Sequence, residues 1–309
     1  VVQRMRNAFE ELATLYYAQH DTIRGDAYSE AVYRIEMLPT HELPTTKHAY
    51  MQLPGIGNNL SDKLLELYYT DQLEKLIALK TDARIAATVE LLKIPGVGTK
   101  AVTSYLEQGI DSIAALRLAV EQGTIQLNKV QSLGLRYMDD LDKRIPRTEA
   151  EALNHVLQPL VGSSSHARIE LVGSYRRGKS TLGDIDVLST GLPMSTILHQ
   201  IERAYDVKGY VAKGQTKATL LVVLKTHVRH VDIFVTNESS YPYALLHFTG
   251  SKFFNMKLRA IAKQQGYTLS EHGLRLSQHT QSTGPHIEAK KEDDIFKQLG
   301  LTWISPEHR

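Results

Sequence analysis

Apolar residues recur at helical spacing along residues 4–141, beginning with the stripe Phe9, Leu12, Leu15 and Tyr16. Side chains three and four positions apart lie on the same face of a helix, so this pattern predicts a series of amphipathic helices. The first part of the chain is therefore expected to be helical.

The pattern changes after Pro146, which interrupts the helical periodicity. A helix is predicted over 148–161, and the helical pattern returns from about Tyr241, with an amphipathic stretch over Phe253–Gln265. Between them, period-two alternation predicts strands at Arg168–Val172, Ile185–Ser189, Thr219–Leu224 and His230–Val235. The chain is predicted to be an α+β protein with a helical amino-terminal part.

Two short segments in the helical part resemble each other, Leu53-Pro-Gly-Ile-Gly-Asn-Asn-Leu60 and Ile94-Pro-Gly-Val-Gly-Thr-Lys-Ala101. Each lies between two apolar helical stretches, as in a helix-hairpin-helix motif. Glycine permits positive φ and close approach of a phosphate, and the free N–H groups that start the second helix favour an anion. The pair predicts sequence-independent binding of the DNA backbone through Gly55, Gly57, Gly96, Gly98 and Lys100.

The amino-acid composition excludes some classes of protein and site but points to no particular reaction. The 309 residues carry a net charge of only +2, so nucleic-acid binding requires local basic patches. The absence of cysteine excludes disulfides and thiolate metal sites. No apolar run of about 18 residues and no signal-peptide core is present, so we expect a soluble intracellular protein without a membrane partner.

The segment Leu171–Val187 concentrates the candidate chemistry. Asp184 and Asp186 are two positions apart in a predicted strand, so their carboxylates share a face and would repel unless a divalent cation lies between them. Gly173 and Ser174 open a predicted helix whose free N–H groups suit a polyphosphate, and Arg177 can reach the same anion. A metal site beside a phosphate cradle is what nucleotidyl transfer requires.

A third carboxylate is offered by Asp232, which lies among apolar residues of a predicted strand. A charge at such a position is costly unless it is paired or binds a metal. In two-metal chemistry, Asp184 and Asp186 would bridge both ions, and Asp232 would hold the ion beside a primer 3′-hydroxyl and accept its proton.

These motifs together resemble a family X DNA polymerase, closest in layout to the DNA polymerase beta type. The resemblance extends along nearly the whole chain. Its motifs are the two hairpins, Arg144-Ile-Pro-Arg147, Gly173-Ser-Tyr-Arg-Arg-Gly178, Gly183-Asp-Ile-Asp186, Lys213-Gly-Gln-Thr-Lys217, His247-Phe-Thr-Gly-Ser-Lys-Phe-Phe-Asn255, Asp294-Ile-Phe296 and Leu299-Gly-Leu301.

The resemblance implies a nucleotidyltransferase-type palm with a mixed sheet and a small carboxyl-terminal nucleotide-selection subdomain. It divides the chain into a lyase-like domain with the first hairpin (1–80), a DNA-binding subdomain with the second hairpin (81–143), the catalytic palm (144–240) and the nucleotide-selection subdomain (241–309).

The resemblance also implies a nucleotide site and further DNA contacts. The triphosphate would lie on Arg144, Gly173, Ser174, Arg177 and Gly183, and the sugar and base on His247, Phe248, Gly250, Lys252 and Asn255. Lys213 and Lys217 would contact the primer backbone and Arg259 the template strand. His247 departs from the family's usual tyrosine, which bears on sugar selection.

The implied cofactors are two Mg²⁺ ions on the three aspartates, for which Mn²⁺ can substitute. Na⁺ or K⁺ on the hairpin carbonyls is a further expectation. The implied partners of a monomeric chain are gapped or nicked double-stranded DNA and a deoxynucleoside triphosphate. The backbone carbonyls expected to bind the monovalent ion belong to Met51, Leu53, Ile56, Leu92, Ile94 and Val97.

A second activity is implied for the amino-terminal domain. Lys63 stands where relatives of the beta type place a lysine that forms a Schiff base with 5′-deoxyribose phosphate and so removes it. Tyr28 would support it, with Arg24 and Lys75 as phosphate holders. Asn59 and Ile23 depart from the lysine and histidine that the family commonly has there.

The sequence therefore predicts a template-directed polymerase that fills short gaps in base-excision-type repair and releases pyrophosphate, with an additional lyase activity. Two alternatives remain open. One is a nucleotidyltransferase that works without a template or acts on RNA or a small molecule, and the other is a structural DNA-binding protein with an inactive site.

Overall fold

The structure is a computed structural model that describes residues 1–36, 43–163, 165–277 and 287–309. It divides into two compact units, Val1–Leu135 and Arg136–Arg309. Across these described ranges, no helix combines the length and the apolar character needed to cross a bilayer.

The first unit is helical, as predicted. Its helices are α1 Val2–Ala18, α2 Thr22–Glu36, α3 Lys47–Met51, α4 Asn58–Thr70, α5 Glu74–Thr81, α6 Ala83–Leu92, α7 Thr99–Glu107, α8 Ile113–Glu121 and α9 Lys129–Leu141, which continues into the second unit. The apolar stripe of α1 is buried, with Phe9 and Leu12 fully inaccessible to solvent, because it packs against α2. Side chains of Thr46, Asp82 and Ser112 cap the starts of α3, α6 and α8 by accepting backbone N–H bonds.

Both predicted hairpins form, between α3 and α4 and between α6 and α7. Their turns are alike: Ile56 N–H donates to the Leu53 carbonyl, and Val97 N–H to the Ile94 carbonyl, each at 3.0 Å. The first glycine of each turn has positive φ, +83° at Gly55 and +82° at Gly96, which is why other residues are disfavoured there. The sequence repeat is therefore a structural repeat.

The second unit is built on a mixed β-sheet. The strands of the unit are β1 Ile145–Pro146, β2 Arg168–Leu171, β3 Thr181–Leu182, β4 Ile185–Thr190, β5 Val207–Lys213, β6 Lys217–Leu224, β7 His227–Thr236, β8 Tyr267–Ser270 and β9 Gly273–Leu276. Five of them form the main sheet, in the order β2-β4-β7-β6-β5. Strands β4 and β7 pair in parallel at its centre, and the other neighbours pair antiparallel.

Helices α10 (Arg147–Leu157) and α12 (Met194–Ala204) cover one face of the sheet. The core there includes Leu153, Ile185, Ile197 and Ile233, all fully buried. The helices of this unit are α10 Arg147–Leu157, α11 Gly173–Arg176, α12 Met194–Ala204, α13 Tyr241–Thr249, α14 Lys252–Gln264 and α15 Glu292–Gln298, with short 3₁₀ helices at Gln158–Ser163 and Pro306–His308. The predicted helix over 148–161 thus ends as an α-helix at Leu157.

The carboxyl-terminal helices have a smaller core of their own. Tyr243 and Leu246 of α13, Leu258 of α14 and Phe296 of α15 pack together there. The β8–β9 hairpin contributes Leu274 to the same cluster. This part is a helical layer beside the sheet, and the α+β prediction is confirmed.

Candidate active site

Two of the three predicted carboxylates lie on the adjacent parallel strands β4 and β7. Asp186 is directly opposite Asp232 in the register of this pair. Asp184 lies one residue before β4 rather than within it. Because paired residues of neighbouring strands point to the same face, the fold gathers these carboxylates at one end of the parallel pair.

The electrostatics of this cluster are unbalanced. Burial raises the pKa of Asp186 to about 7, and the negative charges of Asp184 and Asp232 add to the rise. Arg177 and Lys217 oppose the shift without cancelling it. A divalent cation would remove this repulsion, so the chemistry of the donor set fits a metal site.

His230 joins the cluster, although the sequence prediction assigned it no role. One ligand atom each of Asp184, His230 and Asp232 can be chosen so that all lie within 4.8 Å of one another. The hydroxyl of Thr219, opposite Asp232 on β6, donates to Asp232 Oδ1. The signal for His230 was its place two residues before Asp232, which puts both side chains on one face of the strand.

The predicted phosphate cradle begins at Gly173. This glycine has a φ of +58°, and a Cβ there would lie 2.0 Å from Asp186 Oδ2. Only glycine lets the turn approach the carboxylate so closely. The helix it opens, α11, has four residues, so any phosphate contact there relies on local N–H groups and side chains such as Ser174 rather than on a long helix dipole.

Two arginines lie beside this cradle. Arg177 donates to the Thr249 carbonyl, next to Gly250, where a Cβ would be 3.1 Å from Arg177 Nη1. Burial lowers the pKa of Arg177, opposed by the charges of Asp186 and Asp184. Arg144 donates to the Thr181 carbonyl at 2.6 Å, and its Nη1 would be 3.2 Å from a Cβ on Gly183. Arg144 and Gly183 are thus neighbours.

A buried ion-pair network links the cradle to the carboxyl-terminal helices. Arg176 donates to both carboxylate oxygens of Glu292, at 3.0 and 2.9 Å. Arg309 donates to Glu292 Oε1 at 2.7 Å, and Arg176 also bonds Thr249 Oγ1. These bonds hold α11, α13 and α15 together, which fixes the segment that carries Arg177.

His247 forms hydrogen bonds with Asn255 and Arg259, which were predicted to contact the nucleotide and the template. Asn255 Nδ2 donates to the His247 carbonyl at 2.7 Å, and Arg259 Nη2 lies 3.0 Å from His247 Nδ1. Arginine has no acceptor, so this ring nitrogen must accept and is unprotonated. Burial lowers the pKa of His247, which Arg259 reinforces and Glu271 opposes.

The other predicted nucleotide and primer residues belong to β5, β6, α13 and α14 of the same unit. Phe248 stacks on Phe234 with ring centroids 3.9 Å apart, and Lys217 Nζ lies 5.3 Å from the Phe234 ring. Both phenylalanines line a cleft of about 380 Å³. Lys213 is 4.1 Å from the Tyr210 ring, and Lys252 is the exposed first residue of α14.

In the first unit, Gly57 and Gly98 are exposed at the starts of α4 and α7. A Cβ on either would meet nothing within 4 Å, so the approach to both helix starts is open. Lys100 is exposed on α7. The expected monovalent-ion carbonyls lie at these turns, where those of Leu53 and Ile94 each already accept one N–H bond.

The predicted lyase residues are only partly brought together. Tyr28 is buried and stacks on Tyr16, and Arg24 lies over the same Tyr16 ring. Lys63 Nζ donates to the Asn59 carbonyl at 3.2 Å, while Lys75 is exposed on α5. Burial raises the pKa of Tyr28.

Most of the chain matches models of known protein families. Family models match three consecutive segments: the fingers domain of DNA polymerase lambda at 89–142, the DNA polymerase beta palm at 144–239 and the DNA polymerase beta thumb at 244–309. DNA polymerase lambda of Rattus norvegicus is 30% identical over 97% of this chain, and that of Arabidopsis thaliana 27% over 97%. The DNA polymerase/3′-5′ exonuclease PolX of Bacillus subtilis (strain 168) is 28% identical over 84%.

The mixed sheet, with acidic residues on its two parallel strands β4 and β7, lies in the segment that the DNA polymerase beta palm model matches. With all three models in order along the chain, this chain belongs to the family X DNA polymerases. The chain spans 55%, 60% and 46% of the three relatives, or about half their length. Polymerases of this family use divalent metals, and the Asp184–His230–Asp232 group is a candidate site for one.

Proposed function

We propose that this chain is a template-directed DNA polymerase that fills short gaps during repair. It would transfer a nucleotidyl group from a deoxynucleoside triphosphate to a primer 3′-hydroxyl and release pyrophosphate. The observation that carries the proposal is the parallel register of Asp186 and Asp232, which places two carboxylates at one point where repulsion calls for a cation.

Asp184, Asp186 and Asp232 are the proposed ligands of two Mg²⁺ ions, for which Mn²⁺ can substitute. Such ions, when bound, activate the attacking hydroxyl and stabilise the leaving oxygen. Asp232 is the proposed acceptor of the hydroxyl proton. Its carboxylate is held by the Thr219 hydroxyl, which keeps it oriented toward the cluster.

The triphosphate is proposed to lie on Ser174, Arg177 and the Gly173 and Gly183 backbones, with Arg144 beside the terminal phosphate. Support comes from the closeness of Gly173 to Asp186 and of Arg144 to Gly183. Sugar and base would contact Phe248, Gly250, Lys252 and Asn255, with His247 beside the sugar.

Asn255 and Arg259 both bond His247 here. We propose that nucleotide and template compete with His247 for these side chains, so binding the correct pair would exchange one set of hydrogen bonds for another. The DNA backbone would be held by the two hairpins, with Na⁺ or K⁺ on their carbonyls, and by Lys213 and Lys217. Gapped or nicked duplex DNA is the proposed partner of a monomer.

The proposed domain boundaries remain 1–80, 81–143, 144–240 and 241–309. The last two boundaries are supported by the family matches, which change between residues 142 and 144 and between 239 and 244. The segment 1–80 is proposed to carry the lyase activity through Lys63, with Arg24, Tyr28 and Lys75 in support. Asp62, the neighbour of Lys63 in sequence, is paired with Lys47 at 2.7 Å, and the Lys63 amine donates to the Asn59 carbonyl.

The test is primer extension on a duplex with a one-nucleotide gap, in the presence of Mg²⁺ and all four deoxynucleotides. We expect insertion of the templated nucleotide only. Asp232→Ala should reduce the rate at least ~10³-fold and leave DNA binding within about twofold, since the carboxylate acts on the reacting atoms.

Asp206→Ala is the control, because Asp206 is an exposed aspartate paired with Lys208 outside the carboxylate cluster. It should keep full activity. Untemplated addition or RNA extension by the unmutated protein would favour another nucleotidyltransferase. DNA binding without any incorporation would favour a structural DNA-binding protein.

A further inference from the structure

His230 is placed to do more than fill space beside the carboxylates. It precedes Asp232 by two residues on β7, so both side chains project from the same face of the strand. Its Nδ1 lies 4.0 Å from Asp232 Oδ2, and its side chain is about one-third exposed, 31%. Asp184 completes a group whose ligand atoms lie within 4.8 Å of one another.

The separation of His230 and Asp232 fits a shared cation better than a direct bond. A distance of 4.0 Å between Nδ1 and Oδ2 is too long for a hydrogen bond, whose upper limit is about 3.2 Å. Ligand atoms on one ion, each about 2.1 Å from it, are separated by roughly 3.0 to 4.2 Å. The imidazole and the carboxylate are therefore spaced as two ligands around a small ion.

Orientation of Asp232 does not require His230. The Thr219 hydroxyl, from the neighbouring strand β6, already donates to Asp232 Oδ1. Oδ2, the oxygen nearer to His230, has the imidazole as its neighbour at 4.0 Å. Oδ1 is thus hydrogen-bonded to the neighbouring strand, and Oδ2 faces the histidine.

We propose that His230 supplies an imidazole nitrogen to the divalent ion held by Asp184 and Asp232, and that this ligand makes the site favour Mn²⁺ over Mg²⁺. The inference rests on the metal site of the proposed function. Mg²⁺ prefers an octahedral shell of oxygen atoms, whereas first-row transition ions accept imidazole nitrogen more readily. One nitrogen among the carboxylates therefore shifts the choice of ion.

The experiment uses Mn²⁺ as the probe on the full chain without DNA or nucleotide. Electron spin echo envelope modulation reports a nitrogen bonded directly to Mn²⁺, and free Mn²⁺ in a titration gives the affinity. We expect ¹⁴N modulation in the unmutated protein. Labelling its histidines with ¹⁵N should change the modulation pattern to that of ¹⁵N, a result independent of how any variant folds.

His230→Gln should abolish the modulation and weaken Mn²⁺ binding at least about tenfold, the lower end of what even an outer partner of a metal ligand is worth. Mg²⁺ affinity, measured by competition, should change less than about twofold, because Mg²⁺ gains little from nitrogen. His227→Gln is the matched control on the same strand, since His227 bonds Thr226 and lies outside the group. It should leave modulation and affinity unchanged.

Bound Mn²⁺ without histidine modulation in the unmutated protein would overturn the proposal. So would modulation that persists in His230→Gln. Asp232→Asn must remove the Mn²⁺ that carries the nitrogen signal, which assigns it to this site. If the gap-filling assay fails while the signal depends on His230 and Asp232, the polymerase proposal falls and the ligand assignment stands. If gap filling succeeds and the nitrogen signal does not depend on His230, the ligand assignment falls and the polymerase proposal stands.

Discussion

Asp186 of β4 and Asp232 of β7 face each other across a parallel strand pair. Parallel strands are joined by a long connection, so residues far apart in sequence meet only when the sheet forms. Arg177 and Lys217 reduce the repulsion between the carboxylates, but the pKa of Asp186 remains about 7. Repulsion in the metal-free site therefore lowers the free energy of unfolding by an amount that depends on pH.

We predict that Asp186→Asn stabilises the metal-free protein. A carboxyl whose pKa is raised by folding favours the folded state at low pH, and this contribution is lost as the pH rises through about 7. The variant should raise the free energy of unfolding by on the order of 2 kcal/mol at pH 8, with the gain disappearing near pH 4. Urea unfolding in EDTA at both pH values measures this.

Saturating Mn²⁺ provides the control for that prediction, because a bound cation replaces the repulsion. Under those conditions the unmutated protein should become the more stable of the two. A variant that is no more stable than the unmutated protein in EDTA at pH 8 would show that the carboxylates do not repel as inferred.

We predict that Lys63 is the nucleophile of a lyase activity. Borohydride reduces a Schiff base to a stable amine, so it should trap the protein on DNA carrying a 5′-deoxyribose phosphate. Lys63→Ala should lower the trapped fraction at least about tenfold, in keeping with loss of the nucleophile. Denaturing gel electrophoresis measures the adduct.

Lys80→Ala is the control for trapping, because Lys80 is an exposed lysine of the same unit, paired with Glu11. It should trap as well as the unmutated protein. Equal trapping by Lys63→Ala would move the nucleophile to another amine.

We predict that His247 sets sugar selectivity. The imidazole packs edge-on against Phe248 with centroids 4.9 Å apart, and a larger phenol in its place would narrow the space beside the sugar. His247→Tyr should raise the preference for deoxynucleotides over ribonucleotides about tenfold, which corresponds to roughly 1.4 kcal/mol. The measurement is the ratio of kcat/KM for dCTP and CTP on gapped DNA.

His199→Tyr, at an exposed position of α12, should leave that ratio unchanged. If His247→Tyr leaves the ratio within twofold while activity is retained, sugar selection lies elsewhere in the cleft.

Local features were predictable where a short segment carries its own physical reason. The paired Gly-x-Gly turns, the turn at Gly173 and the strand with Asp232 all form as expected. Strand β5 was missed, because it is an edge strand with Gly209 and two register shifts that blur its alternation. The small β8–β9 hairpin was missed because each of its strands has only four residues, too few to show a clear alternation.

The sequence by itself determined the hairpin repeat, the acidic and glycine-rich segment, the α+β class and the family, since each depends on residues close together or on motifs in order. Only the tertiary structure decided which distant groups meet. It set Asp186 opposite Asp232, brought Asp184 to His230 and Thr219 to the Asp232 carboxylate, and joined Arg177 to Thr249, 72 residues away. Such contacts depend on strand order and register, which are settled by packing of the whole sheet rather than by any one segment.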